Sequence, residues 1–225
     1  MAYNQTIMLT RYHIDMLSAA LADCFSPRAL SAISKANVNQ DRLSGLFGHD
    51  EFHFDNNAFE KSYAYIEEQR ALIVSFLRTN HATSAWFAFG RLTHTAQDFY
   101  AHSNYITLWL SRFDNSPRSK AERGGHTPPA PPEVDPVDLT LLNSPDLRSS
   151  RMYYPLDVLY FILPLRPYVL SRIPRDSHAW MNLDFPEQGF KFDYAMQAAI
   201  KRTKIEFDKT TLGFSEEICR LFLDR

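Results

Sequence analysis

Apolar residues recur at helical spacing through most of the chain. In the N-terminal stretch Ile7, Leu9, Ile14, Leu17 and Leu21 follow that period, predicting a first helix to about Asp23. Ser26-Pro27 supplies an N-cap and a proline at the first helical position, so a second helix is expected from Pro27 to about Ala36. Residues 37–57 are rich in Asn, Asp, Gly and His and read as irregular. Asn57 and Glu60 have capping-box spacing, which starts a long helix running toward Leu77. Another helix follows Asn80 or His81, with Ala85, Phe89, Leu92, Ala96 and Phe99 as its packing stripe.

Beyond Arg112 the pattern changes. Residues 114–150 hold seven of the chain's thirteen prolines, including Pro128-Pro129-Ala130-Pro131-Pro132. Proline lacks a backbone donor and obstructs the helix interior, so this stretch reads as a long wrapping loop or lid. Helical periodicity returns weakly over Pro155–Leu170. It is clearer over Phe190–Phe207, where Phe192, Ala195, Met196, Ala199, Ile200 and Thr203 share a side, and a short helix over Ser215–Leu223 closes the chain. No alternating run demands a strand and no internal repeat occurs, so the expected class is all-α, a single-domain helical bundle over residues 1–225.

Composition narrows the function. The 225 residues are 45% hydrophobic and 22% charged, with a formal net charge of -2, which supplies no general attraction to nucleic acid. Two cysteines, Cys24 and Cys219, are too few for a disulfide framework and read as buried thiols. The first residues lack the basic and apolar regions of a secretory signal, giving a cytoplasmic expectation. Val158–Leu165 is the most apolar stretch; interrupted by prolines and too short to span a bilayer, it reads as buried packing, with peripheral membrane contact as the alternative.

The candidate chemistry is concentrated in His94, Asp98 and His102. Four-residue spacing puts them on one face of a helix. Asp98 lies among Ala, Phe and Tyr; a carboxylate buried there costs several kcal/mol unless it is paired or ligates a metal. Two imidazoles and a carboxylate suit zinc, and suit iron or manganese as well. A second group, Gly48-His49-Asp50-Glu51-Phe52-His53-Phe54-Asp55-Asn56-Asn57, again mixes histidine with acids. His81 and His126 have ordinary helix-start and loop readings.

The run from Gly90 to Tyr105 resembles the signature helix of Het-C-like proteins, relatives of the zinc-dependent phospholipase C and single-strand nuclease superfamily. Residues 36–41 (ANVNQD) and 51–56 (EFHFDN) support the likeness. The resemblance implies an all-α domain holding one to three zinc ions between helices and cleaving phosphate esters, phospholipids among them, with metal-activated water. Carried over, it makes Asp41, His53, His94 and Asp98 a first metal site. His13 lies near an N-terminal ligand position, although the chain begins with Met1 where the phospholipases have tryptophan. His102 falls one turn beyond Asp98, a closer spacing than in those enzymes. A second ion would use His102, His178 and Asp184, and Asp55 or Asp50 would act as orienting group or general base. Two other readings stay open: a non-catalytic interaction or membrane-associated module with a structural metal, and an HD-type phosphohydrolase built on His49-Asp50.

Overall fold

The computed structural model describes residues 3–46, 48–113, 128–160 and 162–225. Among these residues the chain is helical, without a strand; extended pairing is limited to the bridges Ser103–Ser149 and Arg151–Ser177. The helices are α1 (Tyr3–Leu21), α2 (Pro27–Val38), α3 (Leu43–Leu46), α4 (Asp50–His53), α5 (Phe59–Arg78), α6 (Ala82–His102), α7 (Tyr105–Ser111), α8 (Leu139–Leu142), α9 (Leu156–Tyr160), α10 (Arg166–Leu170), α11 (His178–Met181), α12 (Lys191–Thr211) and α13 (Glu216–Leu223). No helix among the described residues is long and apolar enough to cross a membrane.

The bundle is organised around α6, which packs against α2, α5 and α12 and is buried along most of its length. Phe89, Leu92, Ala96 and Phe99 enter the main core with Leu17, Leu21, Phe25, Ile33, Ile66 and Ile73. The α2–α6 crossing is close because Gly90 has no side chain: a Cβ there would lie 2.3 Å from the Ile33 carbonyl oxygen and 2.9 Å from the Asn37 nitrogen. That approach brings the C-terminal end of α2, and Asp41 just beyond it, beside the polar face of α6.

Several expected boundaries hold in substance. Ser26 caps α2 by accepting from Ala29 N at 3.1 Å, and Ser215 caps α13 by accepting from Ile218 N at 3.3 Å. The Asn57–Glu60 capping box does not form. α5 starts after Ala58 without a side-chain cap, because Asn57 is spent elsewhere: its Oδ1 accepts from Ser149 N at 2.7 Å and its N–H donates to Ser149 Oγ at 2.9 Å. Residues 37–57 are less irregular than expected, since they contain α3, α4 and two 3₁₀ turns, joined by left-handed backbone at Phe54, Asn56 and Asn57. Pro155–Leu170 is divided into α9 and α10 by a 3₁₀ turn at Leu163–Leu165 and forms a small separate core with Ile173 and Ala179. Both cysteines are free and only half-buried.

Of the proline-rich segment, residues 114–127 lie outside the described residues. Residues 128–150 are tied down at several points. Tyr100 Oη donates to Pro136 O at 2.5 Å, Tyr105 Oη to Asp135 O at 2.6 Å and Lys201 Nζ to Val134 O at 2.8 Å. Tyr100 is two residues from Asp98 and points to the other side of α6, so Pro136 lies away from the His94-Asp98-His102 face, whereas Ser150 N returns to donate to His102 O at 2.8 Å.

The Gly90 contact yields a stability prediction. Gly90→Ala forces a methyl into backbone atoms that cannot yield without moving α2, so denaturant unfolding of this variant should show a loss of about 1–3 kcal/mol or more. An unchanged midpoint would mean that the α2–α6 approach is looser than described.

Candidate metal centre

His94, Asp98 and His102 lie in line on α6, and all three are buried. Three other segments bring partners to them. α1 carries His13, whose Nε2 lies 3.3 Å from Asp98 Oδ1 and 3.8 Å from Asp41 Oδ2. The 3₁₀ turn after α2 carries Asp41, with Oδ1 3.5 Å from His94 Nε2. The last residue of α4 is His53, whose Nδ1 lies 2.8 Å from Asp98 Oδ2 and 3.2 Å from His94 Nε2. The donor atoms of His13, Asp41, His94 and Asp98 all fall within 4.8 Å of one another. Four ligands placed tetrahedrally at about 2.0–2.2 Å from zinc are separated by roughly 3.4 Å, so a small inward adjustment gathers this set around one ion.

A second cluster sits one turn along α6. His102 Nδ1, Asp55 Oδ1 and His178 Nδ1 are neighbours, at 3.5 Å for Asp55–His102 and 3.7 Å for Asp55–His178. Donor atoms of these three residues also lie within 4.8 Å of one another. Asp184 faces the opposite edges of the rings, 3.2 Å from His102 Nε2 and 3.5 Å from His178 Nε2. Local backbone contacts explain these positions. The left-handed turn at Phe54 aims Asp55 inward, and Ser150 Oγ donates to its Oδ1 at 2.5 Å. α11 is set by His178 N donating to Arg151 O at 3.0 Å and Ala179 N to the buried Asp157 carboxylate at 3.0 Å. Leu183 N donates to Ala101 O at 2.9 Å, which holds Asp184 beside His102.

His53 links the two groups, since its backbone carbonyl lies 2.9 Å from His102 Nδ1. Three buried atoms here have no hydrogen-bond partner: Asp41 Oδ2, His53 Nε2 and His94 Nδ1. A buried carboxylate oxygen without a donor is costly, and a cation beside it removes that cost.

The electrostatics follow from close packing of unlike charges. Burial alone would raise the Asp98 carboxyl, yet His94 and His102 nearby, with bonds from His53 and His94, hold it well below the usual carboxylate range. Burial lowers His94 despite Asp98 and Asp41, which favours the neutral imidazole that a metal requires. Burial also opposes charge on His102 and His178, but Asp184 and Asp55 outweigh it, raising His178 and pushing His102 up to about 9. Asp55 and Asp184 are correspondingly lowered by the two imidazoles, against their own burial.

The structure therefore gathers Asp41, His94, Asp98 and His13 in one cluster, and Asp55, His102, His178 and Asp184 in the other, with His53 between them. Asp55 lies among the donor atoms of the second cluster, beside His102 and His178. Asp50 joins neither cluster; it accepts from Asn56 Nδ2 at 2.9 Å, while His49 pairs with Glu51 and stacks on Phe52 with centroids 4.4 Å apart. The His49-Asp50 doublet thus lies outside both centres. Gln97, which meets His13, and Asn37, which bonds to Gln97, had no spacing signal in the chain, and Thr203, also bonded to Gln97, read only as part of a packing stripe.

Comparison with known proteins gives two likenesses. Residues 12–116 match the model of the VWA7 N-terminal domain family. The chain is 31% identical over 98 residues to von Willebrand factor A domain-containing protein 7 of Rattus norvegicus, an alignment covering 42% of this chain and 11% of that protein. No solved structure matches. The chain thus spans about a tenth of the length of this curated relative. These matches correct the expected affiliation. The 90–105 helix that suggested Het-C-like proteins and the zinc-dependent phospholipase C superfamily lies wholly inside the matched region, which is similar to VWA7 instead. The descriptions hydrolase and phospholipase C-like fall with that resemblance. The matched residues include His13, Asp41, His53, Asp55, His94, Asp98 and His102, and exclude His178 and Asp184.

The charge balance yields a pH prediction for the metal-free protein. His102 prefers the proton in the folded state, so its stabilising contribution is fully present below about 6.5, the usual value for histidine, and is lost as pH rises through about 9. Thermal melts of metal-free wild type should fall across that window, and His102→Gln should flatten the decline. Equal slopes in the two proteins would contradict the assignment.

Proposed function

We propose that this domain is a metal-holding helical module that takes two divalent ions, zinc in the first instance. His13, Asp41, His94 and Asp98 would hold one, and Asp55, His102 and His178 the other, with Asp184 accepting from the far ring nitrogens of the two histidines. The observation that carries this reading is the convergence of two histidine–carboxylate sets, the second buried and the first with His13 and Asp41 half-buried but the Asp41 Oδ2 atom itself buried and lacking a donor. Nitrogen and carboxylate donors suit zinc and leave iron and manganese as competitors. Bound ions would act as Lewis acids, and would also neutralise an otherwise dense group of carboxylates.

One feature favours an oxygen-anion ligand, such as a phosphate ester, as a further occupant. A small cavity of about 30 Å³ is lined by His13 and Asp98 of the first cluster and Asp184 of the second, with Met16, Phe192 and Met196 as apolar walls. Without ions those carboxylates repel an anion. Two divalent ions would cancel the charge of the four carboxylates in the two clusters and offer a cationic atom to an oxygen anion, so binding of phosphate would depend on metal.

Metal analysis after zinc reconstitution and desalting should find about two ions per chain, with His94→Ala/Asp98→Ala losing the first centre. Inorganic phosphate should give binding heat with zinc-loaded protein and none with chelator-treated protein. Wild type free of metal after reconstitution would overturn the whole reading; zinc without phosphate binding would overturn only the anion ligand.

A further inference from the structure

We propose that Gln97 is the positioning residue that determines which nitrogen of His13 faces the first centre, a role that rests on the metal reading above. His13 Nδ1 lies 2.7 Å from Gln97 Oε1. Which ring nitrogen carries a proton depends on which way the Gln97 amide points, and the surrounding bonds settle that orientation.

On one side Gln97 Nε2 lies 3.1 Å from Thr203 Oγ1. The Thr203 hydroxyl donates to the Ala199 carbonyl at 2.8 Å, so its proton is committed and its oxygen can only accept from Gln97. The group facing Thr203 is therefore the amide NH₂. On the other side Gln97 Oε1 accepts from Asn37 Nδ2 at 3.1 Å. Asn37 Nδ2 also donates to Thr93 Oγ1 at 3.2 Å, and the Thr93 hydroxyl in turn donates to the Gly90 carbonyl at 2.9 Å. Reversing Gln97 would set its NH₂ against the NH₂ of Asn37. Gln97, Asn37, Thr93 and Thr203 are all buried, so water does not supply alternative partners cheaply.

The direction of every bond is thus anchored at two helix carbonyls, one in α12 and one in α6, and it ends on His13. An oxygen at Nδ1 requires a proton there. Nε2 then presents its lone pair toward Asp98 Oδ1 at 3.3 Å and Asp41 Oδ2 at 3.8 Å. Acceptors thus face both ring nitrogens. The conflict at Nε2 is resolved by a cation placed between the imidazole and the two carboxylates. Partners of this kind typically change metal affinity by about 10–100-fold when removed.

The test combines zinc titration with ring ¹⁵N spectra of His13. Gln97→Leu should weaken zinc at the first centre by about 10–100-fold with helix content retained. Gln97→Glu keeps an oxygen opposite Nδ1 and should retain most of the affinity. Zinc-loaded wild type should show metal on Nε2 and a proton on Nδ1. Leucine and glutamate variants weakened equally, or a leucine variant binding as tightly as wild type, would overturn the role. Should wild type take up no zinc, the metal reading fails by itself. The metal-free spectrum at alkaline pH still decides the tautomer: a proton on Nδ1 supports the Gln97 relay, and a ring with none there overturns it.

Discussion

The buried carboxylate of Asp98 is the constraint on which the rest of the site depends. It is surrounded on three sides by imidazoles: His13 at 3.3 Å, His94 at 3.1 Å and His53 at 2.8 Å. An isolated carboxylate at that depth costs several kcal/mol, and removing one partner from such a group leaves the others exposed to the same penalty. The second cluster repeats the arrangement with signs better matched, since two imidazoles stand between Asp55 and Asp184. Protons can balance that second cluster. In the first, Asp41 adds a further carboxylate whose Oδ2 receives no hydrogen bond. A cation satisfies that oxygen and the His13 lone pair together.

The bundle is built to hold this charge in place. The missing side chain at Gly90 lets α2 approach α6, and the same contact places Asn37 against Thr93 and Gln97 and carries Asp41 to His94. Farther along α6, the backbone bond from Leu183 to Ala101 and the bond from His178 N to Arg151 O deliver Asp184 and His178 from a segment more than 70 residues away. Helix packing and the geometry of the cluster are therefore coupled: a shift of α2 against α6 displaces Asp41 and the network behind His13 at once. The buried Arg202–Glu206–Arg70 group, with Arg202 Nε and Arg70 Nη2 each 2.5 Å from Glu206, ties α12 to α5 and closes the opposite side of α6.

The long helices were legible because period and caps agreed: Ser26, Ser215 and the stripe on α6 all act locally. The in-line array of His94, Asp98 and His102 was legible for the same reason, since four-residue spacing alone places side chains on one face. What sequence spacing could not convey was the partnership between distant segments. Asn57 looked like a cap, yet its side chain pairs with Ser149, ninety-two residues on. His13 had only a weak claim from the chain and lies within the first cluster, because α1 crosses the polar face of α6. Asp50 and Asp55 looked equivalent in one acidic run, but the left-handed turn at Phe54 sends Asp55 inward and leaves Asp50 outside. The family resemblance misled for a related reason: it rested on one helix and two short runs, whereas the likeness to the VWA7 N-terminal domain extends over residues 12–116.

The most direct test of the central claim is anomalous X-ray diffraction at the zinc edge from crystals of the zinc-reconstituted chain. The account predicts a strong peak enclosed by His13, Asp41, His94 and Asp98, and a second beside His102 and His178. Anomalous maps without a peak at the first position, with Asp98 still bonded directly to His53 and His94, would contradict it.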